Sequence, residues 1–297
     1  MAEIKKNKKW LGYTIYGIVL TVVLLYFLFP SAALRDIALN AFNETYPNLH
    51  LSISKISPSF PFNLNIQTPE LALKESPDKV FFKADNVSLH PKLWSLLTGK
   101  YELNIHCTAY NGELMGWVNF EEDLFEPPFD SSIEFNGMQL EETSELKDIL
   151  GVPVTGILNG KITYHAKGRF PGNSSGDADI RIFDCRIGLA KSILGLTSLE
   201  FNDVSAEATL NRQILNIKMI DLKGRELNGT ISGRATMRRE ILESRLDLRG
   251  SIVPFAETPQ DSGGAQDLFK LFGQQSRQGK LSFTIRGTFK EPQFRLM

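Results

Sequence analysis

The chain has 297 residues, 33 Lys+Arg against 34 Asp+Glu for a net charge of −1, and 42 % hydrophobic residues. Such a composition excludes a disordered, collagen-like or multi-span membrane chain, and it lacks the strong positive charge by which nucleic-acid binders are recognised. With 2 Cys and 4 His there is material for neither a disulfide-dense scaffold nor a Cys/His zinc framework, so no nucleic-acid partner and no metal or organic cofactor is expected.

No charged residue falls between Lys9 and Arg35, and Trp10 to Phe29 is an almost wholly apolar run. About 20 residues at about 1.5 Å each match the roughly 30 Å of bilayer hydrocarbon. The expected anchor presents Leu11, Ile15, Ile18, Leu20, Val23, Leu25, Phe27 and Phe29 to lipid, with Trp10, Tyr13, Tyr16 and Tyr26 near the headgroup levels. Lys5, Lys6, Lys8 and Lys9 precede the run and orient the N-terminus to the cytoplasm. The expected organisation is therefore a basic tip and anchor over residues 1–30 and an exported body over 31–297. A cleaved signal peptide is the competing reading, because Ser31-Ala32-Ala33 offers small residues, but the apolar run is longer than the roughly 7–15 residues of a signal core. On an oxidising side of the membrane Cys107 and Cys185 are either one disulfide or two small buried hydrophobes.

After Pro30, Leu34, Ile37, Ala38, Ala41 and Phe42 recur at helical spacing, which predicts an amphipathic helix over 32–46. Beyond it the period changes to two. Leu103, Ile105 and Cys107 alternate with polar residues, as do Leu158, Ile162 and Tyr164; Leu242, Leu246 and Leu248; and Leu281, Phe283 and Ile285. These are one-sided strands, and Asn111-Gly112, Pro171-Gly172-Asn173, Asn211-Arg212 and Arg225-Glu226 mark turns between them. About a dozen strands are expected, with short helices only at 91–98, 144–150 and 267–275. Hairpin-joined strands with no helices between them make an antiparallel meander and exclude parallel βαβ folds. The fold class is thus mainly β, a long curved sheet closed as a partial barrel or left as a trough. Its apolar face, carried by Leu103, Ile105, Ile162, Tyr164, Leu246, Leu248, Phe283 and Ile285, is either a filled core or an open groove.

Chemistry-bearing motifs are sparse. Gly172-Asn173-Ser174-Ser175-Gly176 matches G-x-S-x-G, but a nucleophile elbow needs a helix after it, whereas an alternating strand pattern follows here. Glu121-Glu122-Asp123 with Glu126 lacks the spacing of a calcium loop. His50, His90, His106 and His165 are dispersed, with His106 and His165 on the polar sides of their strands. No catalytic residue is assigned, and the chain is not expected to be an enzyme. A polar linker at 256–264 precedes a short segment in which Leu268, Leu271 and Phe272 share a helical face suited to capping the sheet.

Several segments together resemble a known family: residues 227–233 (LNGTISG), 243–254 (ESRLDLRGSIVP) and 279–294 (GKLSFTIRGTFKEPQF), with 84–91 and 96–100 earlier in the body. They are similar to type II secretion system protein N and to the wider AsmA-like group. The resemblance implies a single-pass inner-membrane protein with its bulk in the periplasm. Its partners would be other secretion subunits, namely the inner-membrane platform and the secretin, and on the AsmA-like side phospholipid held in a β-groove.

Overall fold

The computed structural model describes residues 3–45, 49–60, 63–74, 76–96, 99–121, 126–142, 152–168, 172–193, 196–225, 227–254 and 280–297. Helix α1 (Glu3–Phe27) takes up most of the N-terminal apolar run. Its threonines return their hydroxyls to the backbone, Thr14 Oγ1 donating to the Trp10 carbonyl and Thr21 Oγ1 to that of Gly17, so neither polar group stands unpaired on an apolar surface. Trp10, Leu11, Tyr13, Ile15, Tyr16, Leu20, Val23 and Phe27 are all exposed. Among the described residues no helix is long and apolar enough to cross a membrane. The expected span is therefore present as an exposed apolar helix and is not established as a membrane span. Phe29 lies past its end, and the side chains of Ile18 and Leu25 are outside the described residues. The helix stops ahead of Pro30, and α2 (Ser31–Thr45) starts immediately after it. α2 packs on the first strands with Leu34, Ala38 and Phe42 half-buried, while Ile37 and Ala41, expected on the same face, are exposed.

Seventeen strands follow among the described residues: β1 (Leu49–Ser52), β2 (Lys55–Ser59), β3 (Asn63–Gln67), β4 (Glu70–Leu73), β5 (Ser76–Lys83), β6 (Asn86–Pro91), β7 (Tyr101–Ala109), β8 (Gly112–Phe120), β9 (Phe129–Gln139), β10 (Val154–Ala166), β11 (Ser174–Ile193), β12 (Leu196–Asn211), β13 (Ile214–Gly224), β14 (Leu227–Thr236), β15 (Arg245–Pro254), β16 (Leu281–Thr288) and β17 (Pro292–Leu296). Fourteen of them form one antiparallel sheet in the order β17-β16-β15-β14-β13-β12-β11-β10-β9-β8-β7-β6-β3-β2. The mainly β, antiparallel reading holds, with a higher strand count than expected. β1, β4 and β5 make a separate three-stranded sheet that the periodicity did not reveal. A short helix α3 (Leu93–Leu96) stands where 91–98 was expected to be helical. The helices expected at 144–150 and 267–275, the linker at 256–264 and most of the acidic loop at 121–126 lie outside the described residues.

The tight turns use left-handed backbone, which Asn tolerates well and Tyr and Arg adopt only rarely. Tyr110 (φ 51°) and Asn111 (φ 56°) close the β7–β8 hairpin, and Arg212 (φ 56°) closes β12–β13. The alternation expected to begin at Leu242 begins instead at Arg245. Ile241–Glu243 forms a 3₁₀ turn, and Ser244 is buried with its Oγ accepting the Arg238 N–H. Long strands stay in phase through bulges, as at Asp184 (φ 49°), which lets Cys185 rejoin the apolar face after Ile182. Gly233 (φ 144°) sits opposite Leu248, and a Cβ there would strike the Asp247 carbonyl oxygen and lie 2.9 Å from Leu248 Cα. Only glycine permits that approach.

Burial concentrates in two places. Ala84, Cys107, Ala109 and Met138 form one cluster, where the small sheet meets the large one, and Ala235, Leu246 and Leu248 form another near the β17 end.

Candidate functional surface

The register shows what the strands have in common. One line across the large sheet, one residue per strand, runs Pro58, Leu64, Leu89, Ile105, Gly116, Ile133, Ile162, Ala178, Ala208, Ile217, Gly233, Leu248, Ile285, Phe294. Every member is apolar or glycine. With neighbouring strands about 4.8 Å apart, this lane is roughly 62 Å long.

The proposed face residues all lie on this side, but in two environments. Leu246, Leu248 and Phe283 are less than 10 % exposed, with Phe283 packed on the Phe294 ring at 4.8 Å between centroids. Leu103, Ile105, Ile162, Tyr164 and Ile285 are only half-buried. The apolar face is thus closed around Leu246, Leu248 and Phe283 and only partly covered at Leu103, Ile105, Ile162, Tyr164 and Ile285. Phe129 lies between Phe120 and Tyr164, at 5.6 and 5.9 Å between centroids, and the Tyr164 hydroxyl donates to Ser174 Oγ at 2.8 Å.

That hydrogen bond also fixes the role of Ser174. It opens β11, is 3 % exposed, and is followed by strand, so the G-x-S-x-G string is a hairpin and not a nucleophile elbow. The disulfide alternative is overturned. Cys107 on β7 and Cys185 on β11 are free and buried, four strands or roughly 19 Å apart, far beyond the roughly 7 Å that a bridge can span. Burial, with the Asp85 carboxylate adding to it, pushes the Cys107 thiol from 9.0 up to about 11, and burial raises Cys185 as well.

The opposite face is wet and laced with ion pairs. His106 faces Glu113 at 3.8 Å and His165 meets Asp130 at 2.7 Å, which places both histidines on the polar side as expected. Arg181 pairs with Asp203 at 3.2 Å and Arg186 with Glu200 at 2.8 Å. Exposed pairs of this kind contribute about 0–1 kcal/mol each. No cluster of three metal-ligating side chains occurs among the described residues.

At the β14–β17 end the balance changes. Arg234, Arg245, Arg249, Arg286 and Arg295 all project from this wet face with Asp247 the one carboxylate on it in those strands. Asp247 is taken by Arg286 at 3.4 Å, and among the described residues none of the other four arginines has an acidic partner. Sequence alternation puts Arg245, Arg249 and Arg286 on the polar side, but only the register adds Arg234 and Arg295 and gathers all five.

No protein-family model, curated protein or solved structure matches this chain.

Proposed function

We propose that the chain is a non-enzymatic subunit of a type II protein secretion apparatus, assisting the export of folded proteins across the outer membrane. In this reading α1 anchors it in the inner membrane with the N-terminus in the cytoplasm, and the sheet works in the periplasm against the inner-membrane platform and the secretin. The observation that supports it is the coincidence of an exposed apolar helix with the family-like segments. Residues 227–233, 243–254 and 279–294 correspond to β14, β15 and the β16–β17 pair, neighbouring strands at one end of the sheet. α1 leaves Trp10, Leu11, Ile15, Leu20, Val23 and Phe27 exposed, and contiguous apolar area of this kind favours apolar surroundings. Deleting the gene in its native host should abolish appearance of the exported proteins in the medium while the outer membrane still excludes a large antibiotic. Normal secretion in the deletion strain sinks the reading.

The apolar lane favours a second reading, an AsmA-like lipid-binding or lipid-transfer body. Half-buried Leu103, Ile105, Ile162 and Tyr164 leave apolar area uncovered, and such area attracts acyl chains. It predicts co-purifying phospholipid that is lost in Ile162→Glu without loss of the β-sheet signal in circular dichroism. A leaky outer membrane with intact secretion in the deletion strain would select this reading over the first.

A further inference from the structure

The two ends of the large sheet are finished differently. β2 carries Pro58, which has no N–H to give, and α2 packs against this strand, features that disfavour pairing with another chain. At the other end, all five residues of β17 are exposed, and among the described residues nothing pairs with its outer side.

Its hydrogen-bonding groups can be assigned. Met297 N–H donates to the Ser282 carbonyl and Thr288 N–H to the Glu291 carbonyl. Antiparallel alternation then turns Gln293 and Arg295 inward to β16 and leaves Pro292, Phe294 and Leu296 with their peptide groups pointing outward. Among the described residues this edge therefore offers, unpaired, the N–H groups of Phe294 and Leu296 and the carbonyls of Pro292, Phe294 and Leu296. On the apolar face Phe294 and Leu296 are 56 % and 47 % exposed, so an added strand would place apolar side chains against them. On the wet face it would lie beside Arg295, with Arg249 two strands away in the same row and Arg286 on the diagonal.

We infer that β17 takes up an extended segment of another protein by strand addition, and that this segment alternates acidic with apolar residues. Main-chain bonds supply the attachment, Phe294 and Leu296 select the apolar positions, and the arginines select the acidic ones. A second copy of this chain fits less well. Pairing β17 with itself through its outward groups puts Arg295 of both copies on one face, next to arginines already short of carboxylates. The inference does not depend on the secretion reading, whose phenotype leaves it untouched.

The test uses the full chain in phosphatidylcholine nanodiscs and three fluorescein-labelled, end-capped ten-residue peptides: alternating Glu and Val, alternating Lys and Val, and five Glu followed by five Val. Fluorescence anisotropy in moderate salt should show binding of the alternating Glu peptide at least tenfold tighter than of the other two. Phe294→Pro removes one outward N–H without touching a bond to β16 and should weaken that binding at least tenfold. Arg295→Glu leaves the backbone unchanged and should reverse the preference toward the Lys peptide. Equal binding of the block peptide, absence of binding, or indifference to both substitutions overturns the inference. So does a concentration-dependent dimer, by sedimentation in detergent, that Phe294→Pro abolishes, because the occupant would then be a second copy.

Discussion

Gly233→Ala is the sharpest test of how tightly the strands at the β17 end are drawn together. At φ 144° an alanine sits in a region that glycine alone populates freely, at a cost of about 1–3 kcal/mol. Its Cβ also meets backbone on both counts, the Asp247 carbonyl oxygen and Leu248 Cα at 2.9 Å, so no side-chain rotation relieves it. Relief requires β14 and β15 to part by several tenths of an ångström, beside a cluster in which Ala235 is 0 % and Leu248 7 % exposed. Adding about 1–2 kcal/mol for disturbed packing gives a total near 2–5 kcal/mol, a large share of ordinary domain stability. In urea this lowers the unfolding midpoint by about 1–2 M, read from tryptophan fluorescence. Gly168→Ala is the control, because nothing lies within 4 Å of the added carbon and its φ is not positive. It should stay within about 0.5 kcal/mol of the parent. If Gly233→Ala and Gly168→Ala unfold at the same urea concentration, the close approach of β14 to β15 is refuted.

The thiols give a second check: a thiol-reactive dye should label neither Cys107 nor Cys185 in the folded chain and both in denaturant, and fast labelling of one in buffer would contradict its burial. Because the folded state holds the Cys107 proton up to about pH 11 while the unfolded thiol releases it near 9.0, the unfolded chain binds fewer protons in that window. Stability contributed by the neutral thiol is present below pH 9 and falls as pH rises, by up to about 1.4 kcal/mol per pH unit, and Cys107→Ala should flatten that slope. Phe283→Ala should cost about 3–5 kcal/mol and leave β17 more open to proteolysis, since Phe283 is 4 % exposed and carries the Phe294 ring; unchanged proteolysis would show that the aromatic contact does not hold the edge strand.

Much of this architecture is written in alternation, which is a local property. Leu103 through Ala109 and Leu281 through Ile285 read directly as one-sided strands because each residue's side is set by its neighbour two positions away. What alternation lacks is the relation between strands. Nothing local says that Gly116, Ile133 and Ile162 fall on one line, that Cys107 and Cys185 stand four strands apart, or that five arginines from β14–β17 share a face. Short strands failed for a different reason. β1 and β4 have four residues each, too few for a period to register, and their pairing diverts the chain so that β3 meets β6. At Leu242 the pattern continued past the true strand start, because a 3₁₀ turn also exposes and buries residues in quick succession. The disulfide alternative rested on compartment and not on distance.

From β6 to β17 the order of strands in space is the order in the chain, and each ladder is completed by the segment that comes next. Such a ribbon can lengthen at one edge as the polypeptide becomes available, with no early strand waiting for a late one. The same wiring imposes an arithmetic on change. Inserting or deleting a whole hairpin leaves the flanking strands antiparallel and their greasy sides aligned, whereas a single strand more or less reverses the chain's direction for everything after it. Between β6 and β17 the ribbon can therefore grow or shrink in pairs, and its reach is adjustable in steps of roughly 10 Å.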